Sequence, residues 1–217
     1  MIHREQYNTL KIGISLILLL LFGIHTALSQ VPMTTSEADA LKEKVKALSR
    51  TTKTISSDFV QYKHLDFLSN DIESKGKLVF KTPDKIRWEY VSPFAYVVIF
   101  KDESLYINDN GNKSSMDMGS NAIFKQLNQL ITASIKGNLF EASEFKATYL
   151  KIKEKSEVHF EPTDPQFREF IKSFQIIFND TGEVQEVKMI EPSEDYTQIV
   201  FDNRTTNQTI SDAVFDQ

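Results

Sequence analysis

Gly76–Phe100, reading GKLVFKTPDKIRWEYVSPFAYVVIF, holds three short apolar-alternating runs. Two Pro-containing turns, TPDK at Thr82–Lys85 and SPF at Ser92–Phe94, divide it into successive strands. Side chains alternate across a strand, so Leu78 and Phe80 share one face of the first run, and Ile86, Trp88 and Tyr90 share one face of the second. Lys77, Lys81, Arg87 and Glu89 point the other way. An antiparallel sheet with one face this aromatic has to cover it with protein, with ligand, or with each in turn.

Upstream, Arg4 and Lys11 precede an apolar run from Ile12 to Ile24, and Ala27 and Ser29 stand three and one positions before a cut ahead of Gln30. This pattern is expected of a cleavable secretory signal peptide over residues 1–29. The run is shorter than the roughly 20 residues a membrane-spanning helix needs. What remains, residues 30–217, is expected to be a single domain. The chain has no cysteine, so an exported form has neither disulfides nor a lipid-modified N-terminal Cys, and burial alone has to stabilise it. With 25 Lys and Arg against 30 Asp and Glu, interspersed, the charge argues against nucleic acid or an anionic membrane surface as main partner.

From Ser36 to Thr52 the spacing of Leu41, Val45 and Leu48 predicts a helix with one narrow apolar stripe, with Ser36 as N-cap and Asp39 completing a capping box. A strand follows in which Phe59, Gln61, Lys63, Leu65 and Phe67 alternate with Val60, Tyr62 and His64. After the central stretch, KDES and NDNGN read as hairpin turns around Leu105–Asn108. Ile123, Phe124, Leu127, Leu130, Ile131 and Ile135 then recur at helical intervals before Gly137, predicting a second helix. Five further strands run from Phe145 to Asp202, with NDTG at Asn179–Gly182 as a turn and Asp164-Pro165 opening a short helical segment. About ten strands and two main helices predict a mainly β fold: a curved antiparallel sheet, or incomplete barrel, with helices over its open apolar face.

No enzyme chemistry is apparent. Past residue 29 only His64 and His159 remain as histidines, neither at metal-ligand spacing, and there is no phosphate-cradling Gly-rich loop and no nucleophile elbow. No metal and no cofactor are expected.

Phe59 with Gln61, then Gly76, Pro83, Arg87-Trp88, Tyr90 and Pro93, and a late VFDN at Val200–Asn203, together resemble the periplasmic outer-membrane lipoprotein carrier family, LolA. The resemblance implies an open half-barrel whose concave face, with Leu78, Phe80, Ile86, Trp88 and Tyr90 in its wall, carries the acyl chains of a lipoprotein. It implies that a helix carrying Ile123, Leu127, Leu130 and Ile131 acts as lid. It further implies an inner-membrane ABC transporter as donor, the outer membrane or a receptor on it as acceptor, and a periplasmic monomer. Familiar members carry Arg directly before the Pro of the central turn. Here Thr82 stands there, so lid and turn control fall to Thr82, Pro83 and Arg87. Two other uses of the fold are a carrier of a small lipid or polyene-type ligand and a lipoprotein-sensing module.

Overall fold

The structure, a computed structural model, describes residues 30–117, 140 and 144–216. In chain order the elements are β1 (Val31–Pro32), helix α1 (Thr35–Thr51), β2 (Thr54–His64), β3 (Ile72–Lys81), β4 (Lys85–Ser92), β5 (Tyr96–Lys101), β6 (Ser104–Asp109) and β7 (Asn112–Asp117). They continue with β8 (Phe145–Ile152), β9 (Lys155–Pro162), the one-turn helix α2 (Pro165–Arg168), β10 (Ser173–Phe178), β11 (Val184–Ile190) and β12 (Tyr196–Thr206). A 3₁₀ turn at Asp212–Phe215 ends the series.

All 12 strands belong to one antiparallel sheet in the order β1-β8-β9-β10-β11-β12-β2-β3-β4-β5-β6-β7, and β1 and β7 do not pair, so the sheet is open. The expected open antiparallel sheet is present with two more strands than expected, because the two-residue β1 pairs with β8 and the polar Asn112–Asp117 pairs with β6; the second predicted helix lies outside the described residues. Neither has an alternating apolar pattern to announce it. Strand β2 stops at His64, short of the predicted run through Phe67, and Phe67 is left in the turn, 80% exposed.

The central hairpin has the register its alternation predicts. Leu78 lies opposite Trp88, Phe80 opposite Ile86 and Gly76 opposite Tyr90. Gly76 also faces Phe59 on β2, and a Cβ at Gly76 would fall 2.5 Å from the Phe59 ring and 2.0 Å from the Glu89 carbonyl oxygen. The missing side chain lets the ring lie on the strand, 4.6 Å from Trp88 and 5.3 Å from Tyr90 between centroids.

Two apolar clusters result. One joins Leu41 and Val45 of α1 to Phe160, Phe174, Ile176 and Phe178 on β9 and β10, with Phe167 of α2. The other joins Ile55, Phe59, Leu78, Phe80, Ile86, Phe100 and Leu105 across β2–β6. On the opposite face, Ile99 and Phe215 are each about 1% exposed. The chain after β12 binds across that face. Lys81 Nζ donates to the Ile210 carbonyl at 2.7 Å, Arg87 Nη1 to the Val214 carbonyl at 3.3 Å, and Asp212 pairs with Lys81 at 2.9 Å and Lys85 at 3.1 Å.

Helix α1 begins two residues earlier than its apolar stripe suggested. Thr34, not Ser36, is the N-cap, and Glu37, not Asp39, completes the capping box: the Thr34 backbone N–H donates to Glu37 Oε2 at 2.9 Å while Thr34 Oγ1 accepts from the Glu37 N–H at 3.3 Å. The Thr-Thr-Ser run offers several hydroxyls, and Thr34 prevails because Glu37 can also reach Lys151 on β8. The Lys151 ammonium, and after it the Thr34 donors, hold the Glu37 carboxyl down at about 2. A depressed carboxyl pKa contributes stability above its unfolded value and loses it as pH falls through the folded one. Glu37→Gln is therefore expected to melt below the parent near neutral pH, and the gap to close between about pH 4.5 and about pH 2, as read by thermal unfolding of both proteins across that window.

Candidate functional site

The inward faces of the strands and the apolar stripe of α1 line an open cavity of about 440 Å³. One wall is Leu78 of β3, Trp88 and Tyr90 of β4, Tyr96, Val98 and Phe100 of β5, and Leu105 and Ile107 of β6. The facing wall is Phe174 of β10, Val184, Val187 and Met189 of β11, and Thr197, Ile199 and Phe201 of β12. Val45 and Leu48 of α1 contribute from above. Strands β10 and β6 stand seven places apart in the sheet order. Laid flat at about 4.8 Å per strand they would be some 34 Å apart. That both line one cavity means the sheet curls strongly around it.

The predicted wall residues divide into two groups. Leu78, Trp88 and Tyr90 line the cavity. Phe80 and Ile86 share their face but lie in the sealed cluster, 1% and 0% exposed, and are not in the lining. Thr82 and Pro83 are exposed in the turn, where the Thr82 N–H donates to the Lys53 carbonyl at 2.9 Å. Arg87 is on the outer face, its Nε 3.0 Å from Glu89 Oε2. Ile123, Leu127, Leu130 and Ile131 lie outside the described residues.

Alternation in the central stretch pointed to one wall alone. The facing wall comes from β10–β12, and the patterns of β11 and β12 carry too many polar residues for their inward positions to stand out. Val45 and Leu48, predicted on the helical stripe, divide their work: Val45 is also core, and Leu48 faces the cavity.

Polar groups are few and mostly spoken for. Tyr90 Oη donates to Gln61 Oε1 at 2.8 Å. Burial raises the Tyr90 phenol, and the Trp88 indole N–H, close by but outside hydrogen-bonding geometry, pulls the other way. Ser57 Oγ donates to the Asp202 carbonyl at 2.7 Å. Glu183 and Arg204 are the only charged residues in the lining among the described residues, 3.5 Å apart. Such a site can take up apolar matter and has little with which to transform it. His64 and His159 each meet one carboxylate, Asp71 and Glu157, at 2.8 Å, and no set of three metal-ligating side chains occurs among the described residues.

The profile of the outer membrane lipoprotein carrier protein LolA matches residues 50–217. The chain belongs to the LolA family. No curated protein matches it. Among solved structures, a LolA superfamily protein from Nitrosomonas europaea is similar at 8% identity and a TM-score of 0.45, over 83% of this chain and 97% of that one. The Mycobacterium tuberculosis lipoprotein LppX is similar at 6% identity and TM-score 0.45, over 82% and 99%. The Pseudomonas aeruginosa MucA/MucB complex includes a chain similar at 12% identity and TM-score 0.43, over 83% and 61%. The LolA-family match covers the central hairpin, both cavity walls and the late VFDN, leaving out most of α1. Among the described residues no helix is long and apolar enough to cross a membrane.

Proposed function

We propose that this LolA-family protein is a carrier that holds the acyl chains of lipoproteins in its cavity and moves them through the periplasm, after export directed by residues 1–29. The observation that carries the reading is the cavity itself: about 440 Å³, within the roughly 300–1,000 Å³ of ligand sites, walled by apolar side chains from both limbs of a curled sheet. Each CH₂ taken from water is worth about 0.8 kcal/mol, so acylated cargo leaves a membrane only into another apolar solvent. A wall with few hydrogen bonds to offer binds such chains without fixing them, which suits release. On this reading the donor is an inner-membrane ABC transporter, and the acceptor is the outer membrane or a receptor on it. The carrier supplies no chemistry of its own.

Trp88 is the only tryptophan in the chain and lines the cavity, so it reports occupancy directly. Adding a triacylated lipopeptide is expected to shift its emission saturably, and the same peptide without acyl chains to leave it unchanged. An equal response to both peptides, or to neither, contradicts the proposal. A response confined to free small lipids favours instead a small-lipid carrier built on the same fold.

A further inference from the structure

One charged side chain is turned into this apolar cavity by a specific backbone device. Along β12 the inward positions are Thr197, Ile199 and Phe201, so strict alternation would send Arg204 outward with Val200 and Asp202. The pairing with β2 slips between Asp202 and Thr205: Asp202 lies opposite Asp58, but Thr205 lies opposite Ser56. The extra residue is a bulge, and Asn203 occupies it at φ 50°. Asn203 is held there by its Nδ2 donating to Asp58 Oδ2 at 2.8 Å and its N–H donating to Asp202 Oδ1 at 2.8 Å. Ser57, itself buried, takes up the Asp202 carbonyl. The result is that the residue after Asn203 faces inward, and that residue is Arg204.

Once inside, the guanidinium is poorly served. Among the described residues its Nε is buried with no hydrogen-bond partner, and its ionic contact there is Glu183 Oε1 at 3.5 Å, beyond the length of a good charge-assisted bond. Glu183 is itself engaged by Asn179 Nδ2 at 3.0 Å. Burial lowers the Arg204 pKa, and Glu183 restores only part of the loss. Donors without acceptors in an apolar wall are costly unless something completes them. With Glu183 already balancing the charge, a second anion would be repelled. A neutral carbonyl oxygen can accept from the guanidinium and adds no charge.

We propose that Arg204 is the polar anchor of the cavity, donating to the ester or amide carbonyl of an acyl chain and so setting which end of the chain lies at the α1 C-terminus end of the sheet. This rests on the carrier reading and adds the ligand group read and its direction. The tail then runs away from the bulge along β12, past Phe201 and Ile199 toward Thr197.

The test uses the residues 30–217 protein, Trp88 emission and three ligands sharing one tail: methyl dodecanoate, dodecyl methyl ether and dodecanoate. The ester is expected to bind about tenfold more tightly than the ether, as one hydrogen bond to a charged donor warrants. In Arg204→Met the ester is expected to fall to the ether's affinity while the ether is unchanged. Because that variant leaves Glu183 without its partner, Arg204→Met/Glu183→Gln is measured beside it and is expected to behave alike. Equal binding of ester and ether by the parent overturns the anchor and leaves the carrier reading standing. Tighter binding of dodecanoate than of the ester overturns the neutral carbonyl in favour of an anion. If none of the three binds, the carrier reading falls and the anchor with it.

Discussion

Gly76→Val is expected to yield no folded protein, and Gly76→Ala to lose about 3 kcal/mol or more, the upper part of the range for overpacking a tight site. A Cβ there meets the Glu89 carbonyl oxygen at 2.0 Å and two Phe59 ring atoms at 2.5 and 2.7 Å. The ring could swing away, at the expense of its contacts with Trp88 and Tyr90. The carbonyl cannot move without opening the β3–β4 pairing beside the irregularity at Lys75 and Gly76. Urea unfolding of the Ala variant measures the loss directly. Adding Phe59→Ala is expected to give no rescue, because it relieves the ring contacts and leaves the backbone one. A Gly76→Ala midpoint equal to the parent's would show that β4 yields easily, and the packing account of the central hairpin would be wrong.

The second large effect concerns binding. Val98→Glu places a carboxylate on the inward face of β5, between Tyr96 and Phe100 in the cavity wall. In the empty protein that group can stay hydrated, so folding is expected to survive. An acyl chain lying over it would bury an unpaired charge, which costs about 3 kcal/mol or more, equivalent to a loss of about a hundredfold in affinity. The Trp88 response to a triacylated lipopeptide is expected to disappear at concentrations that saturate the parent. Val97→Glu, one residue away and on the outer face opposite Glu89, is expected to leave the response intact. Equal loss in both variants would mean that disturbance of β5, and not the cavity, is being read.

Much of this architecture is written in local pattern. Period-two alternation gave the central hairpin its faces and its register, since a slip of one residue would have turned Trp88 and Ile86 to solvent. The helical stripe of α1 was equally plain. What the pattern could not give is depth. Phe80 and Ile86 share a face with Leu78 and Trp88, and only the curl of the sheet and their packing in one cluster with Phe100 and Leu105 beside them decide that they are sealed while their neighbours border space. Strands without alternation, such as the polar β7, were invisible for the same reason in reverse. Arg204 was hidden by a bulge, which changes the parity of everything after it. An Asn before it, a residue that tolerates positive φ, was the one local sign. The 3₁₀ turn that brings Phe215 onto the outer face depends on long-range ion pairs with Lys81 and Lys85, which no window of sequence displays. Those same pairs lower the Asp212 carboxyl, Lys81 first and Lys85 next.

The most direct test of the carrier account is chemical capture from within the cavity in living cells. A photo-cross-linking residue at Val98 samples the cavity, whereas one at Glu89 samples the outer face of the same hairpin. After irradiation and mass spectrometry, the account predicts diverse acylated lipoproteins joined to the Val98 probe and none to the Glu89 probe. If the Val98 probe captures nothing acylated, or both probes capture the same species, the cavity is not the cargo site and the account is contradicted.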